Sequence, residues 1–229
     1  MKITDRDIDL MGWILEQKFM TRKQIRRIFW KGLREKSTED YRRLGELKKA
    51  GYLKASKRGL YKEALYLVAG KGVRQIRDFS RDRGLREVHD ADYSNYRHDL
   101  VVTDIRIMFH ELGYRHWLSE RVLFKGNDLR RVPDGVVYHG SKYFAIEYES
   151  SQKSKRRYRE IFYNYELDNQ IGEVIYIVDT PELIQKLLRE ADACVKLHFV
   201  TMEELQKNRV KARLRGMSSE CSLRELLDV

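Results

Sequence analysis

Apolar residues recur at helical spacing through the first thirty residues, and each apolar stripe follows a polar capping sequence. Thr4 and Asp7 have the spacing of a capping box, and the stripe behind them predicts a helix that runs to about Gln17. Thr21 and Gln24 repeat the same spacing and predict a second, shorter helix. The chain therefore opens with two short amphipathic helices.

A third helix and two strand-like runs complete this first pattern. The stretch 37–40 opens the helix, which we expect to bury Tyr41, Leu44 and Leu47 and to stop at Gly51. Two β-rich runs follow at 52–55 and 64–68. The segment between them is polar and basic, so these runs predict a hairpin with a positively charged tip.

From residue 96 onward, helical and strand-like patterns alternate. A helix is expected from Tyr96 to about Leu112, with a buried apolar stripe. The remaining predicted elements are strands at 117–124, 133–138, 143–149, 173–178 and 195–200, and helices at 154–167, 182–190 and 202–207. This order predicts a mixed α/β domain, so the whole chain is expected to combine α+β and α/β architecture in two domains.

Charge is distributed unevenly along the 229 residues. Residues 1–90 contain 24 Lys and Arg against 13 Asp and Glu, a net charge of +11, whereas residues 91–229 contain 22 of each. A basic N-terminal module favours nucleic-acid binding, because Lys and Arg on phosphates supply most non-specific affinity. A basic surface that serves only solubility is the alternative.

Cysteine content and hydropathy indicate the compartment. The two cysteines, Cys194 and Cys221, form no disulfide framework, which fits a reducing environment. No apolar run approaches the ~20 residues of a membrane span, and the charged N-terminus has no apolar signal region. We therefore expect a cytoplasmic protein without membrane contact.

Three helices followed by a basic hairpin resemble a winged helix-turn-helix domain, and the stretch 47–53 resembles its junction between recognition helix and wing. The resemblance implies duplex DNA binding; a winged helix used for protein contact is the alternative. Expected DNA contacts on the third helix, on the side opposite the apolar stripe, are Thr38, Arg42, Arg43 and Lys49. Expected phosphate or minor-groove contacts on the hairpin are Lys54, Lys57, Arg58 and Lys62.

The centre of the second half is a predicted hairpin that carries three acidic residues. In the run 143–149, alternation places Glu147 and Glu149 on one face of the strand, and Asp134 can approach from the neighbouring strand. Three converging carboxylates repel one another, so the arrangement suggests a Mg²⁺ or Mn²⁺ site with Asp134 and Glu147 as ligands. A solvated strand face is the ordinary alternative.

This part of the chain also resembles the nuclease fold named for its Pro-Asp…(Asp/Glu)-x-Lys motif. Pro133-Asp134 matches the first element and Glu147 the second acid, but Glu149 stands where the family usually has Lys. The resemblance implies Asp134, Glu147 and Glu149 as catalytic residues, with Lys153 as a displaced positive charge. A cofactor, Mg²⁺ or Mn²⁺, is implied only for an active enzyme.

Basic residues and one histidine complete the candidate set. Five of the seven residues from Lys153 to Arg159 are Lys or Arg, among them Lys155 and Arg156, which fits either a phosphate clamp or a solvated helix face. His98 falls within the apolar stripe of the predicted helix, where a polar group needs a partner. It is expected to be a structural residue near the acidic site or, alternatively, a catalytic one.

In combination, the winged helix, the His98-Asp99-Leu100 helix, the Asp134…Glu147-x-Glu149 hairpin and the basic helix resemble the replication-relaxation family. The resemblance implies a DNA-binding protein of plasmids or other mobile elements. The expected organisation is a winged helix at 1–80, a linker at 81–92, a nuclease-like domain at 93–208 and a tail at 209–229. Three functions remain open: a homodimeric regulator or accessory protein, a metal-dependent endonuclease or nickase, and a non-catalytic interaction module.

Overall fold

A computed structural model describes residues 1–34, 36–56, 63–79, 83–92, 94–126, 129–140, 142–191, 194–217 and 219–228. The chain divides into two compact units, Met1–Ile107 and Met108–Val229. Helices and two sheets, one of three strands and one of seven, make both units mixed α and β. Across these residues, none of the helices combines the length and the apolarity that a bilayer crossing requires.

The first unit contains the predicted helices and hairpin, with one added short strand. Its elements are α1 (Asp5–Glu16), β1 (Met20–Thr21), α2 (Arg22–Phe29), α3 (Glu39–Lys49), β2 (Leu53–Ser56), β3 (Leu65–Val68) and α4 (Gly70–Asp78). The strands form an antiparallel sheet in the order β1-β3-β2. Both predicted capping boxes are confirmed, at Thr4 with Asp7 and at Thr21 with Gln24.

Helix α3 is rotated relative to the sequence prediction. Leu44 and Leu47 are buried as expected, but Tyr41 is 61% exposed, so its predicted burial is wrong. Asp40 takes the inward position and accepts hydrogen bonds from Arg22 Nε at 2.7 Å and Nη2 at 2.9 Å. A paired carboxylate tolerates burial, whereas the large Tyr41 ring lies outside and packs against the Arg22 guanidinium.

Residues 83–92, expected as part of a linker, contribute to the hydrophobic core of the first unit. Leu85 is 2% exposed and Ala91 is 4% exposed. Ala91 packs with Phe19 and Leu65. The division between the two units falls further along the chain, within helix α5 (Tyr96–Glu111).

A polar stripe on the first turns of α5 faces the end of α1. Asp99 is buried and pairs with Lys18 at 2.8 Å, and Arg106 is buried and pairs with Glu16 at 2.8 Å. His98 lies beside this stripe and is half-buried, with its side chain 33% exposed. Asp99 is buried because Lys18 supplies a cationic partner.

The second unit is built on a seven-stranded sheet in the order β10-β9-β8-β7-β6-β5-β4. Strands β6, β7 and β8 are parallel, and the outer pairs are antiparallel. The strands are β4 (Trp117–Ser119), β5 (Gly135–His139), β6 (Lys142–Glu149), β7 (Glu173–Val178), β8 (Leu197–Thr201), β9 (Arg213–Arg215) and β10 (Glu220–Ser222). The helices are α6 (Glu120–Gly126), α7 (Lys155–Glu166), α8 (Pro181–Ala191), α9 (Met202–Asn208) and α10 (Leu223–Leu227), with a 3-10 turn at Arg209–Lys211.

The core on one face of this sheet lies beneath α7 and α8. Ala145, Val174 and Phe199 from three neighbouring strands meet Phe162 and Leu187 from the two helices. Three aromatic residues of α7, Tyr158, Phe162 and Tyr165, pack into this core and are each at most 2% exposed. Burying side chains of this size contributes roughly 1.5–3 kcal/mol each.

Two predicted segments differ in the second unit. The strand expected at 117–124 ends at Ser119, because Ser119 pairs with Gly135, the first residue of β5, and later residues have no strand partner. Residues 120–126 form α6 instead. The expected tail from residue 209 continues the sheet through β9 and β10, with Leu214 and Leu223 completely buried.

Candidate functional site

The exposed side of α3 forms the first candidate surface. Arg42 is 73% exposed, and its Nη1 lies 3.2 Å from Glu46 Oε1. The other residues on the same arc of the helix, all exposed, are Thr38, Tyr41, Gly45, Lys48 and Lys49. We call these six residues the α3 face. It combines three cations, a hydroxyl group and an aromatic ring on one rigid element.

Two of the expected DNA contacts, Arg43 and Lys54, form ion pairs within the first unit. Arg43 is 15% exposed and donates from Nη2 to Asp7 Oδ2 at 2.5 Å and from Nη1 to Glu46 Oε2 at 2.8 Å. This pairing raises the pKa of Arg43. For Asp7, burial opposes a decrease, but the hydrogen bonds from Arg43 and Thr4 outweigh it and lower the pKa.

On the hairpin, Lys54 pairs with Glu87 at 2.6 Å. Lys57, Arg58 and Lys62, the expected contacts at the hairpin tip, lie outside the described residues.

The second candidate surface begins at Asp134, next to a tightly packed position at the start of β5. The neighbouring Gly135 lies directly against the indole of Trp117, and a Cβ at this position would be 2.1 Å from Trp117 Cζ2. Only glycine fits there without displacing the ring. Asp134 Oδ2 accepts a hydrogen bond from the backbone N–H of Tyr148 on β6 at 2.8 Å, which fixes the carboxylate beside the acidic end of that strand.

Glu147 is a deeply buried acid of this surface, with 5% of the residue exposed. Its Oε1 accepts a hydrogen bond from Arg131 Nε at 2.8 Å and another from the hydroxyl of Tyr165. Burial and then the charge of Asp134 raise the pKa of Glu147, while Arg131 and Tyr165 work in the opposite direction. Burial would lower the pKa of Arg131, but the charge of Glu147 outweighs it and the pKa rises.

Glu149 lies two positions further along the same strand and has a separate cationic partner. It is 4% exposed, forms an ion pair with Lys153 and accepts a hydrogen bond from the Ser151 N–H at 3.3 Å. The alternation of β6 therefore places Glu147 and Glu149 as expected, but a different positive side chain neutralises each one. Among the described residues, no group of three or more His, Cys, Asp or Glu side chains could hold a metal ion, although Asp134 is near enough to Glu147 for its charge to raise the pKa of that acid.

This donor set does not fit a divalent cation. A Mg²⁺ or Mn²⁺ site needs several oxygen ligands with unmatched negative charge. Here Arg131 and Tyr165 both donate hydrogen bonds to one oxygen of Glu147. Lys153 donates to an oxygen of Glu149. The chain itself supplies the positive charge that a metal would bring.

The basic residues of α7 are partly neutralised in the same way. Glu190 on α8 lies 3.2 Å from Arg159 and 3.6 Å from Lys155, although both cations are largely exposed. Arg157 pairs with Glu160 at 3.2 Å. Arg156 is exposed and forms no ion pair with the described residues. Arg156 is therefore the main residue of this helix whose charge is left to bind a phosphate group.

Sequence reasoning missed the residues that complete each surface. Arg131 precedes the predicted strand and has no periodic signal, and Tyr165 lies on another element, eighteen positions beyond Glu147. Tyr41 was expected inside the protein. The sequence contains one signal for this arrangement, an aspartate at position 40 that can pair with the basic residues of α2. An aspartate with such partners can take the buried position instead of the aromatic residue that follows it.

The first unit is basic and rich in helices. The second unit is built on a mixed sheet and carries a buried cluster of acids with their positively charged partners. This combination of two units defines the class of protein. A family model described as Replication-relaxation matches residues 11–167, more than half of the chain. The chain belongs to the replication-relaxation family, which suggests a role in replication or relaxation of plasmid or mobile-element DNA. Comparison with curated proteins and with solved structures gives no match.

Proposed function

We propose that the protein binds duplex DNA through the α3 face and acts as a regulator or accessory factor in plasmid or mobile-element replication. The observation that carries the proposal is the separation of roles on α3. Its inward acid, Asp40, is tied to Arg22 and Arg26, while Arg42, Lys48 and Lys49 remain on the exposed side. An exposed helix face with side chains of this kind suits a major groove.

Electrostatics support the same proposal. The excess of basic residues lies in the first ninety residues, which include α3 and the hairpin. Cations on the α3 face would contact phosphates or guanine edges, and the Tyr41 ring would contact thymine methyl groups or sugars. Many helix-turn-helix proteins bind paired half-sites, so we expect a homodimer on the DNA.

In this proposal the second unit is a scaffold or regulatory unit rather than a catalyst. Arg131 forms an ion pair with Glu147, and Lys153 forms one with Glu149. The Tyr165 hydroxyl donates a hydrogen bond to Glu147. Carboxylates that are already neutralised hold a structure together. Lys155 and Arg156 on the neighbouring helix stay candidates for additional phosphate contacts.

A DNA endonuclease or nickase is the second candidate function. One observation favours it: Asp134 is close enough to Glu147 for its charge to raise the pKa of that buried acid. Two adjacent acids can act as a general base toward an attacking water or as ligands of a metal ion that activates it. This function would require Arg131 and Lys153 to leave the acids when DNA binds.

The binding experiment compares the wild type with the double variant Arg42→Ala/Lys49→Ala on the DNA upstream of its own gene. We expect the variant to bind more weakly and the slope of log affinity against log salt to decrease by about 2 if each cation contacts one phosphate. Lys207→Ala, which removes an exposed lysine from α9, is the matched control and should bind as the wild type does. Equal binding by all three proteins would refute the α3 face as the DNA surface.

The cleavage experiment uses supercoiled plasmid with Mg²⁺ or Mn²⁺ and the variants Asp134→Ala and Glu147→Ala. The regulator proposal expects shifted but intact DNA in every case. Metal-dependent nicking by the wild type that both substitutions abolish would instead establish the endonuclease. Sedimentation of the protein with and without DNA then tests the expected homodimer.

A further inference from the structure

An exposed row of rings crosses three neighbouring strands at the end of the large sheet. Tyr138 on β5 is the register partner of Tyr143 on β6, and its backbone N–H donates to the carbonyl of His116 at 3.1 Å. The ring centroids of His116 and Tyr138 are 4.8 Å apart, and those of Tyr138 and Tyr143 are 5.8 Å apart. We call His116, Tyr138 and Tyr143 the aromatic row.

Helix packing does not cover this row. Tyr143 is 44% exposed, His116 is exposed, and Tyr138 is half-buried. The same face of β6 is buried further along, where Ala145 and Glu147 lie beneath α7. Tyr143 and Glu147, the nearer acid of β6, are four residues apart, or about 13 Å along an extended strand, so the row lies away from the acidic cluster.

A small cavity of about 350 Å³ adjoins the row, with Tyr143 as part of its wall. Leu118, Leu129 and Val136 contribute apolar surface, and the exposed Asn169 and Gln170 bring two amide groups to its lining. This volume is at the lower end of the range in which proteins hold small organic groups. A lining that combines apolar side chains with amide donors and acceptors suits a planar, hydrogen-bonding ring such as a nucleobase.

The charge of the surrounding segments is complementary to a phosphate backbone. Residues 114–118 and 136–145 contain Arg115, Lys142 and two histidines and no Asp or Glu. Arg115 and Lys142 are both exposed and each directly precedes a ring of the row. Aromatic rings on a sheet with cations beside them are the arrangement in which proteins stack unpaired bases and hold the connecting phosphates.

We propose that the aromatic row is a binding surface for unpaired nucleotides of a DNA strand, in addition to the duplex surface on α3. The outward faces of His116 and Tyr143, at the two ends of the row, stack bases, with Tyr138 packed between them. Arg115 and Lys142 contact the phosphates, and the adjoining cavity accepts one base edge. Replication and relaxation of DNA both expose single strands, so a protein with such a role would meet this ligand.

The test measures fluorescence anisotropy of a labelled thymidine 12-mer with the full-length protein. We expect Tyr143→Ala and His116→Ala each to weaken binding by roughly 5- to 100-fold, the range for loss of one stacked base. Tyr143→Phe keeps the ring and should keep the affinity. Tyr163→Ala is the matched control, because Tyr163 is another exposed aromatic residue, 64% exposed, on α7.

Four results would overturn the proposal: no binding of the 12-mer by the wild type, unchanged binding by Tyr143→Ala and His116→Ala, an equal loss in Tyr163→Ala, or an equal loss in Tyr143→Phe. Thermal unfolding of each variant shows whether it is folded. A 12-base-pair duplex of mixed sequence, measured in parallel, separates this surface from the α3 face. The ring variants should leave duplex binding unchanged, and Arg42→Ala/Lys49→Ala should leave the 12-mer bound.

Discussion

Gly45 in the middle of α3 offers the sharpest test of the α3 face. Glycine inside a helix costs roughly 0.5–1 kcal/mol relative to alanine, because it loses more backbone freedom on folding. Its φ is not in the left-handed region, and a Cβ built at Gly45 meets no atom within 4 Å. Nothing within the described protein therefore requires glycine at this position.

The substitution Gly45→Ala should stabilise the free protein by about 0.5–1 kcal/mol. With a urea dependence of ~2 kcal/mol/M, the unfolding midpoint of the transition that includes α3 rises by about 0.3–0.5 M. Far-UV circular dichroism during urea unfolding measures this shift. A lower midpoint for the variant would refute the inference that the space around Gly45 is open.

The same methyl group should weaken duplex binding, because it projects from the α3 face toward the DNA. A clash of one methyl group with a closely packed partner costs roughly 1–3 kcal/mol, which is about fivefold or more in affinity. Gly12→Ala is the matched control, since Gly12 lies inside α1 and a Cβ there also meets no atom within 4 Å. It should give the same stabilisation and leave binding unchanged. Stabilisation by Gly45→Ala with full DNA affinity would show that no partner approaches this position closely.

Three further predictions concern the second unit. Gly135→Ala should destabilise the protein by roughly 1–3 kcal/mol in urea unfolding, because the added Cβ overlaps the Trp117 ring; an unchanged midpoint would contradict this contact. Arg131→Ala should cost about 3–5 kcal/mol, since it leaves Glu147 buried without its counter-charge, and adding Glu147→Gln should recover part of the loss; a Glu147→Gln effect that is simply additive would contradict the pairing. Burial raises the pKa of Glu147, so the stability contributed by this carboxyl is complete below its unfolded pKa of about 4.3 and is lost as the pH rises through the folded value. Urea midpoints measured from pH 4 to pH 8 should show this decline in the wild type and not in Glu147→Gln, and parallel profiles would contradict it.

Local signals in the sequence predicted the fold well where the interactions are themselves local. The capping boxes at Thr4 and Thr21 depend on residues three apart, and both are present. The acidic hairpin depends on strand alternation and one turn, and β5 and β6 pair as expected. The identification of these parts as a winged helix and a nuclease-like domain stays a prediction.

Long-range partners explain the errors. Tyr41 is predicted to be buried on α3, yet arginine side chains of α2 make burial of the neighbouring Asp40 favourable instead. The strand predicted from Trp117 to Phe124 had a suitable pattern, but its partner strand begins only at Gly135. Hydrophobic periodicity carries no information about which cation or which strand lies opposite.

The candidate site shows the same difference between local interactions, which the sequence predicts, and long-range ones, which it does not. Alternation correctly predicted that Glu147 and Glu149 share one face of β6, and proximity of Asp134 followed from the hairpin register. The counter-charges could not be predicted in the same way. Arg131 reaches Glu147 from a loop, and Tyr165 reaches it from a helix eighteen positions further along the chain.

The final hairpin of β9 and β10 determines how safely the protein can be shortened. Strand β8 pairs with β9 through Phe199 and Arg215, so the hairpin protects the otherwise open side of a strand rich in apolar residues. Ending the chain after Asn208 would keep the pairing of β8 with β7 but would leave the backbone groups on its other edge open to a second molecule. A shortened chain of this kind is expected to aggregate through that edge, so the last twenty-one residues act as protection against polymerisation.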